Sequence, residues 1–276
     1  MGSGKLSIKM TVKPLNEKKF AFITCVNDEI LYRRCLEHIE SLHIPEGFSV
    51  EKIRINGAKD INEAYNDAMR GSDAKFKIYL HQDTFIKNKN FLSDICRIFT
   101  RDPTIGMIGV VGARRLPSNG IWFKNNWWHC YGKVLEYRRG GILQKILGPF
   151  NKRKERVVFF KKVKEEFMPV VVIDGLIMVT QYDVPWRTDL YKGFLYYEGP
   201  HCIEFIKRGY KVVIPRQETP WVMHYGPRSE KSKVEHRMIW EGLEDRLNIF
   251  RKEYKDFIGK DVKKLLSRYL KDKKYL

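Results

Sequence analysis

Phe20-Ala21-Phe22-Ile23-Thr24-Cys25 is a short unbroken apolar run, the pattern of a strand buried on both faces. It stops at Val26-Asn27-Asp28, where a short polar side chain can cap a helix, and the stripe Leu31, Cys35, Ile39, Leu42 follows. A second strand over 49–55 ends at the turn pair Asn56-Gly57. Asp60 precedes Glu63 by three, as in a capping box, and opens the helical face Ile61, Ala64, Tyr65, Ala68, Met69. A third strand over 76–80 runs into His81-Gln82-Asp83, a third helix covers 91–99, and 105–111 reads as a fourth strand.

Strands alternating with single helices predict βαβ units, right-handed crossovers and a doubly wound, mostly parallel central sheet with helices on both faces. Ligands of such sheets sit beyond the carboxyl ends of the strands. Attention therefore falls on Val26-Asn27-Asp28, Asn56-Gly57-Ala58 and His81-Gln82-Asp83; none carries the glycine spacing of a dinucleotide fingerprint or a P-loop. Past residue 111 the pattern changes to Gly-rich turns, the aromatics Trp122, Phe123, Trp127 and Trp128, and a basic stretch. The apolar stretch 170–179 reads as one buried strand, far too short to span a bilayer, and a helix around 202–208 and a strand over 211–215 follow. From about residue 234 the chain reads as helical, with Trp240, Leu243, Leu247, Phe250, Tyr254 and Phe257 in steps of three and four. The pattern divides into a domain over 17–230, with a variable insert over 114–168, and a C-terminal helical extension over 231–276.

Composition adds a constraint. The 276 residues carry 52 Lys+Arg against 33 Asp+Glu, a net charge of +19, with 43% hydrophobic residues, which excludes a disordered or low-complexity chain. The surplus points to a polyanion: nucleic acid, an anionic membrane face or a phosphorylated substrate. Residues 133–166 contribute +7 of it and residues 251–276 contribute +6. Five scattered cysteines without a C-x-x-C pair predict reduced, mostly buried thiols in a cytoplasmic protein. Residues 1–16 lack the apolar core of a signal peptide, and Met1-Gly2-Ser3-Gly4 resembles a cloning remnant.

Asp83 and His81, two apart at a strand end, can point the same way, as metal ligation requires; a turn aspartate capping the next helix fits equally well. His224 closes a strand-like run and precedes a turn. Glu198, flanked by Tyr196 and Tyr197 at a helix start, has surroundings that would raise its pKa for general-base work; an ordinary helix-start carboxylate is the alternative.

Ile23-Thr24-Cys25-Val26-Asn27, Ala64-Tyr65-Asn66 and Tyr79-Leu80-His81-Gln82-Asp83 resemble successive landmarks of family-2-type glycosyltransferases with the GT-A fold. Ile105-Gly106-Met107-Ile108-Gly109-Val110-Val111-Gly112 with Leu116-Pro117, then Ile173-Asp174-Gly175, Gly209-Tyr210-Lys211-Val212 and the late His224, resemble a bacterial branch of that group, so that the likeness runs over residues 20–227. The resemblance implies a nucleoside-diphosphate sugar as donor, a bridging Mn²⁺ or Mg²⁺, and an inverting transfer to a hydroxyl of a glycan, lipid-linked or protein acceptor. His81-Gln82-Asp83 stands where the family has Asp-x-Asp, which makes Asp83 the acidic metal ligand and His224 the residue completing the shell.

By the same likeness Thr24, Cys25, Asn27, Asn56, Asn66, His81, Gln82 and Asp83 surround the donor, although capping and turn roles compete for Asn56 and Asn66. Glu198 stands where the family usually has an aspartate base, and Pro200 replaces a second acid of the branch. Asp174 is the reserve base and otherwise shapes the acceptor side with Trp127, Trp128 and Tyr196, whose rings could stack on sugars. Two competing readings are a basic nucleic-acid-binding module, disfavoured by the absence of any RNP-type or zinc-finger spacing, and a catalytically inactive transferase-like subunit. The basic segments point to a peripheral position on the inner face of an anionic membrane rather than to nucleic acid.

Overall fold

A computed structural model of the chain describes residues 14–138, 154–190, 192–226 and 242–270. The elements in chain order begin with β1 (Asn16–Val26), α1 (Glu29–Glu40), β2 (Ser49–Asn56), α2 (Ile61–Gly71), β3 (Ala74–Leu80) and β4 (Thr84–Ile86). Next come α3 (Phe91–Arg101), β5 (Ile105–Ile108), β6 (Val111–Ala113), β7 (Cys130–Arg138), β8 (Lys154–Phe159), β9 (Phe167–Val170) and β10 (Val172–Ile173). The chain closes with β11 (Ile177–Thr180), α4 (Glu198–Lys207), β12 (Lys211–Pro215), β13 (Val222–His224), α5 (Leu243–Glu253) and α6 (Val262–Tyr269). The helix starts follow the polar signals: the Asp28 carboxylate accepts from the Ile30 and Leu31 amides at 3.0 Å, and Asp60 accepts from Glu63 at 2.8 Å.

The large sheet has the order β2-β1-β3-β11-β5-β12-β9. β2, β3 and β12 pair in parallel with their neighbours β1 and β5, while β11 and the edge strand β9 run antiparallel. The fully buried Phe20–Ile23 segment of β1 lies at its heart, which explains an apolar run without alternation. A second sheet has the order β10-β6-β7-β13-β4, with β8 pairing β7.

Two expectations are corrected here. Residues 105–111 are not one strand: β5 stays in the large sheet and β6 leaves for the second. Residues 170–179 are not one strand either, because β9, β10 and β11 divide them between both sheets. The reason is the same at both places, since these segments cross where the two sheets meet. A Cβ on Gly109 would lie 2.6 Å from the Ile173 side chain, and one on Gly112 would lie 2.1 Å from the Val172 carbonyl oxygen. Apolar content reports burial, and these segments are buried apart from the half-buried Asp174, so the breaks leave no mark in the pattern.

The C-terminal helix is also shorter than its periodicity predicts: α5 ends at Glu253, and Gly259 at φ +71° lies in the turn before α6. Trp240 and the expected helical start near 234 lie outside the described residues, as do 139–153 of the basic insert. α5 and α6 pack onto the body of the domain through Phe250 on the Tyr196 ring (4.8 Å), Arg187 with Glu253 (3.0 Å) and Arg114 with Asp261 (2.5 Å). Among the described residues no helix is long and apolar enough to cross a membrane.

Gly112→Ala would force β6 and β10 apart at a backbone contact, and β10 leads directly into Asp174. Urea denaturation should show a loss of about 3 kcal/mol, read as a lower midpoint with an unchanged m-value.

Candidate active site

β3 ends where the apolar run gives way to His81-Gln82-Asp83. The His81 amide donates to the Leu176 carbonyl (3.1 Å), and the Thr84 amide donates to His81 (3.0 Å), closing a tight turn into β4. Gln82 bridges this turn to the end of β1. Its Oε1 accepts from the Asn27 and Asp28 amides, both at 2.9 Å, and its Nε2 donates to Asn27 Oδ1. Gln82 and Asn27 therefore hold each other and lock two strand ends together.

β4 pairs antiparallel with β13, with Thr84 opposite His224, and the Tyr225 amide donates to the Asp83 carbonyl at 2.8 Å. This register brings Asp83 Oδ2 to 3.3 Å from His224 Nε2. Burial acts to raise the Asp83 carboxyl, but the hydrogen bond and charge of His224, with His81 behind it, outweigh burial and hold it low. Burial acts to lower His224, but Asp83 first, then Asp174 and Glu136, hold it raised. The pair is a carboxylate and an imidazolium.

The opposite side comes from β10 and α4. Asp174 follows β10, with its amide on the Val111 carbonyl (3.0 Å) and its Oδ1 accepting from the Leu176 amide (3.0 Å). Tyr197 donates its hydroxyl to the Gly175 carbonyl (3.1 Å) and sits 2.6 Å from His81 Nε2, so it joins this side to the end of β3. Glu198 is the first residue of α4. Burial, reinforced by the nearby Asp174 carboxylate, pushes its carboxyl up to about 8. His81, Asp83, Asp174, Glu198 and His224 are each half-buried.

Other expected site residues go elsewhere. Asn66 is corrected: its Nδ2 donates to the Trp186 carbonyl and its Oδ1 accepts from the Trp186 amide, both at 2.9 Å, so its amide is spent on the fold. Tyr196 is corrected as a sugar-stacking ring: it is buried, donates to the Gly120 carbonyl and packs on Phe250. Asn56 is the exposed last residue of β2 and accepts from Arg54 Nε (2.7 Å). Thr24 is buried in β1, and burial pushes the Cys25 thiol up to about 12, too high for a reactive thiolate. Trp127 and Trp128 are exposed on a separate turn. Two neighbours of the site escaped sequence reasoning: Tyr197, whose signal was its place beside Glu198, and Glu136, which β7 pairs with His224.

Among the described residues no group of three or more His, Cys, Asp or Glu is gathered as a metal cage. Asp83 and His224 nevertheless fit a divalent ion that draws its remaining ligands from a diphosphate and water. Their 3.3 Å separation is close to the edge of an octahedron with ligands at 2.0–2.3 Å, about 3 Å. One carboxylate oxygen and one imidazole nitrogen is a donor set that suits Mn²⁺ and tolerates Mg²⁺.

This mixed α/β sheet with flanking helices is a GT-A-like, Rossmann-related fold. It resembles the mannosyltransferase PcManGT from Pyrobaculum calidifontis, solved with GDP-Man and Mn²⁺, at TM-score 0.50 and 12% identity over 93% of this chain and 71% of that one. It also resembles GalNAc-T7, solved with UDP, GalNAc and Mn²⁺, at TM-score 0.52 and 11% identity over 91% of this chain and 56% of that one. No curated protein matches the chain. The sequence model of the Glycosyltransferase like family matches residues 21–240, and the chain belongs to that family.

The raised Glu198 carboxyl makes a stability prediction. Folding favours its protonated form, so its contribution is present below the ordinary value of 4.5 and is lost as pH rises through about 8. The melting temperature of Glu198→Gln minus that of the parent should therefore grow across this window and level off above it. A difference independent of pH would contradict the assignment.

Proposed function

We propose that the protein transfers a sugar from a nucleoside-diphosphate donor to an acceptor hydroxyl with inversion, as a bacterial family-2-type enzyme of a reducing, cytoplasmic compartment. The compartment reading is supported by five free thiols. The observation that carries the transfer reading is the Asp83–His224 pair at the strand ends, with Asp174 close enough to act electrostatically both on His224 and on Glu198. Asp83 and His224 would hold a divalent ion, whose charge would offset that of the departing diphosphate. The turn locked by Gln82 and Asn27 would receive the nucleoside. Glu198 accepts the proton of the acceptor hydroxyl, and that oxygen forms the new bond to the anomeric carbon. The bond from that carbon to the diphosphate oxygen breaks, and its electron pair leaves with the diphosphate. Tyr197 and His81 hold the start of α4 against the end of β3 and so fix the distance between base and donor. Asp174 keeps the Glu198 carboxyl basic enough to act.

A thermal-shift panel of nucleoside diphosphates, with and without Mn²⁺, tests this reading. One nucleotide should stabilise the protein only with the metal, by about 2.7 kcal/mol at a hundredfold excess over its Kd. Asp83→Ala should abolish that response. Glu198→Gln should keep it while transfer falls by about 10²–10⁴-fold, and parental kcat/KM should rise with pH up to about 8. No response to any nucleotide would overturn the proposal. Metal-dependent binding without turnover in the parent protein would instead support an inactive subunit.

A further inference from the structure

We propose that the turn over residues 122–129 docks the protein on an anionic bilayer, with Phe123, Trp127 and Trp128 entering the headgroup layer. Three large aromatic side chains stand exposed within six residues: Phe123 at 46%, Trp127 at 66% and Trp128 at 48%. Chain slack does not account for this. The turn consists of two single-turn 3-10 helices, Trp122–Lys124 and Trp127–His129. Trp122 is buried and meets the Phe160 ring at 5.9 Å, Cys130 Sγ lies 3.6 Å from the Trp122 carbonyl, and Asn125 donates to the Arg115 carbonyl at 2.5 Å. Trp127 and Trp128 meet edge to face at 6.2 Å and project as one wedge.

The surroundings select the occupant. Lys124 lies within the turn, and Arg115, Arg114 and Lys161 stand close enough to His129 to help burial hold its imidazole below the ordinary range. Exposed indoles next to a lysine and a largely basic neighbourhood, Asp261 being its one carboxylate acting on His129, match an anionic lipid interface, where aromatic bodies sit at headgroup depth and cations pair with phosphates. Arg114 is already paired with Asp261 (2.5 Å), and a neutral sugar stacked on these rings would leave the charge of Lys124, Arg115 and Lys161 unused. The net charge of +19 adds long-range attraction to the same surface. β7 leaves this turn and reaches Glu136, beside His224, six residues later, so the wedge lies about 20 Å along a strand from the candidate active site. Docking here requires no donor, so it stands or falls apart from the transfer reading.

The full chain is sedimented with vesicles of phosphatidylcholine and phosphatidylglycerol, and with vesicles of phosphatidylcholine alone. Tryptophan emission is followed with brominated acyl chains. Binding should require the anionic lipid, weaken with salt and quench indole emission. Trp127→Ala with Trp128→Ala should lose at least about tenfold in partitioning and most of the quenching, with an unchanged melting temperature because both sites are exposed. Trp127→Phe with Trp128→Phe should bind but lose the quenching. Equal binding to neutral vesicles, anionic binding without quenching, or unimpaired binding of the double alanine variant would each overturn the proposal. So would protection of the indoles by a soluble glycan in place of vesicles.

Discussion

Three pairs of strand residues, Ile86 with Val222, Phe85 with Met223 and Thr84 with His224, hold the two halves of the candidate metal site together. Side chains alternate across a strand, so a slip of one residue in this register would turn His224 away from Asp83. So short a ladder needs support from outside, and the support is aromatic. The Arg34 guanidinium of α1 lies over the Phe85 ring (4.9 Å) and the Tyr225 ring (4.4 Å), and Tyr225 stacks on Tyr137 of β7 at 4.7 Å. One cation thus ties α1, β4 and the exit of β13 into a single body, with β7 stacked behind them. The Tyr225 amide on the Asp83 carbonyl extends the pairing to the ligand itself.

This dependence explains what the sequence could and could not disclose. The elements from β1 to α3 are local constructions: a both-faces-buried run, a capping aspartate and a helical stripe are each complete within about a dozen residues. Apart from β4, which the pattern did not signal, they appear where the pattern puts them, and Asp83 falls at a strand end as expected. Asp83 and His224 are 141 positions apart, and only resemblance to a family brought them together. Where buried strands cross between sheets, at 109–112 and 170–175, every position is apolar or glycine save Asp174, so periodicity had no contrast from which to detect a break. Asn66 and Tyr196 show a different blindness. A polar or aromatic residue near a site has the same letter whether it faces a ligand or the backbone of Trp186 or Gly120.

The distribution of charge gives the net surplus a meaning that composition alone lacked. The surplus of basic residues is concentrated in residues 133–166 and 251–276, whereas Asp83, Asp174 and Glu198 stand together at the strand ends and the start of α4. Among the described residues, a diphosphate bound there would meet these carboxylates. His224, held cationic by Asp83, offsets one of them. In the transfer reading, a divalent ion held by Asp83 and His224 would offset the rest. The arrival of that ion would also displace the proton that His224 carries, because a ligating imidazole is neutral. The surface charge is left for a different partner, and the exposed indoles indicate a surface rather than a pocket.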